Sequence, residues 1–124
     1  MKPNEMQVGG SHYQSEYQHW DFVIDVKLHY LLACATKYIV RWRSKNGLQD
    51  LKKARHFIVK AFDVGIIASG LGHHYFIKQF IKVNDIPNKE AYLIHDIVFG
   101  EYAEALKKLD ELILKAKDEG HVEE

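Results

Sequence analysis

The chain reads as an all-α protein: a compact helical domain built on an αα-hairpin with three further helices. Apolar residues recur at three- and four-residue spacing over most of its length, as in helices with one buried stripe. No stretch alternates apolar and polar residues for long enough to suggest a strand. Breaks fall at Asn46-Gly47, Gly70-Leu71-Gly72, Pro87 and Gly100, and a new helical run follows each.

Taken in order, residues 1–19 are polar and hold Pro3, Gly9 and Gly10, which predicts a flexible N-terminal arm. The helical domain then covers residues 20–120, with the hairpin core at 20–69 and C-terminal helices at 70–120. Trp20 to Asp25 reads as a short helix or turn, with Trp20, Phe22, Val23 and Val26 in the core. The first hairpin helix places Leu28, Leu31, Leu32, Ala35, Ile39 and Trp42 on one face and ends near Lys45. Gly47 suits the left-handed position that closes it, having no Cβ to clash. Asp50 is expected to cap the second hairpin helix, about Leu51 to Ser69, through one of its first free N–H groups. Leu51, Ala54, Ile58, Ala61, Phe62 and Gly65 form that helix's inner stripe. Phe57, Val64, Ile67 and Ala68 add apolar surface on other faces, so a partner subunit is expected to cover it.

Further helices follow at about His73–Lys82, Lys89–Phe99 and Glu101–Asp118. In the last, Glu104 with Lys108 and Glu111 with Lys115 have the four-residue spacing of weak ion pairs. Hydrophobic residues at 47% and charged residues at 27% fit one globular domain. The formal net charge of zero argues against general nucleic-acid binding, which needs a net basic surface. A single cysteine, Cys34, excludes an internal disulfide. No apolar run suggests a signal peptide or a membrane helix, and a cytoplasmic protein is expected.

The densest chemistry lies between Lys37 and Phe57. Lys37, Arg41 and Lys45 run along the helix side away from the core, edged by Tyr38 and Trp42. Cations beside aromatic rings suit a ligand carrying phosphate and a flat base. A solvated face with snorkelling side chains produces the same row. There is no Gly-rich phosphate loop ending in Gly-Lys-Ser/Thr. The adjacent pair His73-His74 points two ways on a helix, and no metal site is expected.

The run VGGSHY, then WDF at Trp20 to Phe22, then KYIVRWRSKNGLQDLKKARHF resembles a family of small phage proteins, over roughly residues 8–62. Many members are labelled phage nucleotide kinases, after a T-odd phage nucleoside monophosphate kinase. The resemblance singles out His12, Tyr13, Trp20, Asp21, Lys37, Tyr38, Arg41, Gly47, Asp50, Leu51, Lys53 and Ala54. Trp42 stands where tyrosine is common in that family, and His19 where proline is common. Together, motif and resemblance make His12, Tyr13, Trp20, Lys37, Tyr38, Arg41, Trp42, Lys45 and Lys53 the candidate ligand-binding residues. Gly47 and Asp50 are assigned structural roles, and no catalytic residue is assigned.

Three functions follow as expectations. One is a phage-encoded oligomer that captures a phosphorylated nucleotide, such as a cyclic immune-signalling one, without turnover. Another is a nucleoside monophosphate kinase without a P-loop, which would bring Mg2+ as its cofactor. The last is an adaptor that binds a host protein through the long apolar helix.

Overall fold

The computed structural model describes residues 16–67 and 73–121, and everything regular among them is helical. The helices are α1 (His19–Val26), α2 (Tyr30–Arg41), α3 (Leu48–Val64), α4 (His74–Val83), α5 (Asn88–Val98) and α6 (Tyr102–Asp118). A short 3-10 turn, Trp42–Ser44, follows α2. Helices α2, α3, α6 and α5 are neighbours in a closed circuit, while α1 pairs with α4, which leans on α5. One cluster of buried residues draws on all six helices. Its large members include Phe22, Leu32, Ile39, Trp42, Leu51, Ile58, Phe80, Ile94 and Leu109, all at most 1% exposed. Each such side chain contributes about 1.5–3 kcal/mol by leaving water.

Local chemistry sets the ends of these helices. The Asp21 carboxylate accepts the Gln18 backbone N–H at 3.0 Å, closing the first turn of α1. His29 begins α2, its Nδ1 accepting the Leu31 N–H at 3.1 Å. After the 3-10 turn, the Gly47 N–H donates to the Trp42 carbonyl at 2.8 Å. Gly47 has φ 58° and ψ −129°, a combination that only glycine adopts readily. It stands as the residue before α3 rather than as the closing residue of α2.

That placement corrects the expected role of Asp50. Because α3 starts at Leu48, Asp50 is its third residue and reaches backwards, accepting the Asn46 N–H at 3.2 Å. The far end of α3 also differs from expectation. Gly65, placed on the inner stripe by spacing, adopts φ 74° and stops the helix at Val64. The Ile66 N–H bonds the Ala61 carbonyl at 2.9 Å, and the Tyr102 hydroxyl donates to the Ile66 carbonyl at 2.7 Å. The left-handed glycine and this cross-link from α6 end the helix. Ser69, the expected helix end, lies outside the described residues, as does Ala68.

The body also claims part of the expected arm. Tyr17 donates to Asp25 at 2.7 Å, packs edge-on to Phe80 and accepts from Asn84 through its carbonyl at 2.8 Å. The rest of the arm, residues 1–15, lies outside the described residues. Trp20, expected in the core, is 50% exposed, because α1 buries its Phe22–Val26 side and Trp20 lies opposite. In place of the expected pairs on α6, Lys108 meets Asp96 of α5 and Lys115 meets Glu119. No described helix is long and apolar enough to cross a membrane.

Candidate functional site

Tyr30 to Val64 holds eight Lys and Arg residues against two acids, Asp50 and Asp63, in a chain of zero formal charge. The region is therefore a local basic zone on a neutral protein. Three of its arginines bond carboxylates. Arg41 bonds Asp50, Arg43 bonds Glu90 and Arg55 bonds Asp110, the last at 2.8 Å. Lys37 and Lys53 are exposed.

Arg41 does not lie on an open solvated face. Its guanidinium grips Asp50 with two prongs, Nε to Oδ2 at 3.3 Å and Nη2 to Oδ1 at 3.2 Å. The Asp50 side chain is fully buried, and that of Arg41 is 18% exposed. This pair ties the end of α2 to the first turn of α3, so Arg41 is part of the packing between the two helices. The expectation that it stood clear of the core is overturned by Asp50 turning inward. Arg41 still presents its outer side to Tyr38, with Cζ 4.7 Å from the ring centroid.

Tyr38 is the point where the expected residues meet. Its half-buried ring stacks on Phe57 of α3 at 5.9 Å, and the Lys53 ammonium lies 5.5 Å from its centre. A ring attended by two cations carries local positive potential beside an aromatic face. Phe57 was not among the expected site residues, although its spacing from Lys53, one turn along α3, offered the signal.

Other expected site residues go elsewhere. Trp42 is 1% exposed, sealed by Arg43 at 4.4 Å from its ring and by His121 edge-on at 4.9 Å. A ring so enclosed cannot stack on a ligand, which corrects its assignment to the binding face. Its Nε1 and the Glu90 Oε1 have no hydrogen-bond partner among the described residues. Lys45 is exposed on the turn before α3, and Trp20 is exposed on α1. His12 and Tyr13 lie outside the described residues.

Lys37 has a neighbour that spacing did not reveal. His19 of α1 lies beside Thr36, with Nε2 at 2.7 Å from the hydroxyl, which in turn donates to the Ala33 carbonyl at 3.1 Å. That chain closes when the imidazole carries a proton on Nε2 and donates it to the hydroxyl. Burial, helped by the Lys37 charge, pushes the His19 pKa down to about 4. His95, stacked on Phe99 and near His74, is also lowered, by burial first and then by His74.

Two concavities lie away from Tyr38. One, of about 190 Å³, is lined by Lys89, Tyr92, Lys108, Glu111 and Leu112. The other is an open groove of about 340 Å³ at Val59, Phe62, Asp63 and Leu106. Among the described residues, no three His, Cys, Asp or Glu side chains are grouped to hold a metal ion.

No curated protein and no solved structure matches the chain. Residues 8–59, which include α1, α2 and α3 as far as Val59, match DUF3310, a family described as a protein of unknown function.

Proposed function

We propose that this protein captures a phosphorylated nucleotide and holds it without turnover. On this reading it is a small phage protein acting in the host cytoplasm, where it sequesters a nucleotide such as a cyclic immune signal. The α2–α3 unit, an αα-hairpin, provides the binding face. The observation that carries the reading is the Tyr38 ring with Arg41 at 4.7 Å and Lys53 at 5.5 Å. A base can lie against the aromatic edge formed with Phe57 while the cations meet phosphate oxygens. Lys37 and Lys45 extend the same basic zone.

Capture is favoured over phosphoryl transfer by the position of Asp50. Buried and engaged by Arg41 and Asn46, it is poorly placed to orient a nucleophile or to hold Mg2+ in an open site. The kinase reading stays as the alternative. A second reading, an adaptor or self-associating surface, is favoured by the groove at Val59, Phe62 and Leu106, with Phe62 53% exposed.

Calorimetric titration with mono-, tri- and cyclic nucleotides tests the reading on wild type, Lys53→Ala and Tyr38→Leu. A lost charge-assisted contact, worth about 1.5–3 kcal/mol, should weaken binding by Lys53→Ala roughly 10- to 150-fold. Incubation with a nucleoside monophosphate, a triphosphate donor and Mg2+ should give no product, whereas turnover would establish the kinase. Equal affinity in all three proteins would remove Tyr38 and Lys53 from the site.

A further inference from the structure

Tyr30, Cys34, Lys37, Arg41 and Tyr38 fall within an arc of about 100° on α2, at 3.6 residues per turn. Opposite that arc lie the buried residues Leu32, Ala35, Thr36 and Ile39. Tyr30 is 71% exposed at the first turn of the helix, one turn before Cys34. An exposed tyrosine contributes little to a core, so folding alone gives this one little to do. Its ring stands eight residues before Tyr38, about 12 Å along the axis at 1.5 Å per residue. The exposed Lys37 lies between the two rings in sequence, and Arg41 with Lys53 flanks the second ring.

The outer face therefore presents, in order, an aromatic ring, a cation, a second ring and two more cations. A mononucleotide uses only half of that series. We infer that the ligand is a dinucleotide, one base stacked on the Tyr30 ring and the other against the edge that Tyr38 forms with Phe57, its phosphates on Lys37 and on Arg41 with Lys53. This rests on the nucleotide reading above and makes Tyr30 a specificity residue of the same site. The zero formal charge of the whole chain favours a short ligand over a long strand, whose binding would draw on basic surface well beyond one helix face.

Titration of adenosine monophosphate, 5′-phosphorylated diadenylate, cyclic diadenylate and a ten-residue oligoadenylate tests this. The proteins are wild type, Tyr30→Ala, Tyr30→Phe and Tyr38→Ala, with melting curves to check folding. Wild type should bind at least one of the two dinucleotides more tightly than the monophosphate. Tyr30→Ala should lose about 5- to 150-fold on that dinucleotide, the loss of one stacking platform, and nothing on the monophosphate. Tyr30→Phe keeps the ring and should keep the affinity, while Tyr38→Ala should weaken both ligands. If the monophosphate binds and Tyr30→Ala changes neither ligand, or both equally, this inference falls while the nucleotide reading stands. Affinity that climbs further with the ten-residue strand also overturns it, in favour of a strand-binding surface. Absence of all binding by wild type overturns both.

Discussion

Replacing Arg41 by alanine should destabilise the fold far more than removing an ordinary surface charge, which costs at most about 0.5 kcal/mol. The Asp50 carboxylate is fully buried, and Arg41 is its two-pronged partner. Breaking a buried ion pair from one side leaves a bare charge and costs about 3–5 kcal/mol. Two features pull the figure to the lower end. Asn46 still donates to Asp50, at 3.2 Å from its backbone and 3.5 Å from its side chain, and the 18% exposure of Arg41 lets water reach the vacated space. We expect about 3 kcal/mol, or roughly 10–15 °C in melting temperature for a chain of this size. Removing both charges, as Arg41→Met with Asp50→Leu, should recover most of the loss apart from the Asn46 bonds. Urea unfolding of the four proteins, followed by far-UV circular dichroism, gives the coupling between the sites. A cost below about 1 kcal/mol for Arg41→Ala, with coupling near zero, would show that Arg41 is a solvated cation after all. The size of the expected effect is also why Lys53 and Tyr38 are better probes of ligand binding than Arg41.

Acid should weaken the fold through His19, whose pKa is about 4 when folded against an ordinary value of 6.5. Between those values the unfolded chain takes up a proton that the folded one refuses. Stability should therefore fall as pH drops from 6.5 to 4, by up to about 3 kcal/mol, and this contribution should flatten below 4. His19→Gln should lack that slope, and an identical acid profile for the variant would exonerate His19. The exposed apolar part of α3 predicts assembly: light scattering at tens of micromolar should report at least a dimer, and Phe62→Glu should shift it towards monomer with little change in melting. A monomeric wild type at that concentration would refute the assembly.

Much of the helical layout can be read from the sequence, because a stripe of apolar residues at helical spacing needs no tertiary information. The positions of Leu32, Ala35, Ile39, Ala105, Leu109 and Leu112 illustrate this, since all are buried. The turn at Gly47 was equally legible, since a positive φ favours glycine whichever helix claims it. The direction of a charged side chain near that turn was not. Starting α3 at Leu48 instead of near Asp50 changes Asp50 from the residue before the helix to its third residue. Its carboxylate then meets Arg41, nine positions earlier, and a cation that spacing placed on an open face proves to be half of a buried pair. Trp42 was ambiguous because it sits at the edge of the stripe beside the cationic row, and the structure buries it at the start of the 3-10 turn. Glu90 carried a missed signal. It precedes Leu93 and Ile94 by three and four residues, so it shares their buried side and needs a cation. Its partner, Arg43, lies 47 residues away, a distance no local pattern reports.

Arg41 at the end of α2 and Arg43 in the 3-10 turn after it hold buried acids from two different helices, Asp50 on α3 and Glu90 on α5. This arrangement constrains how the sequence can drift. A step that neutralises one member passes through a protein with a stranded interior charge, so descent favours lineages in which both members change together or neither does. The bonds at these four positions thus tie the exchange of one residue to that of its partner, a constraint that the fold does not place on the exposed Lys37 and Lys53.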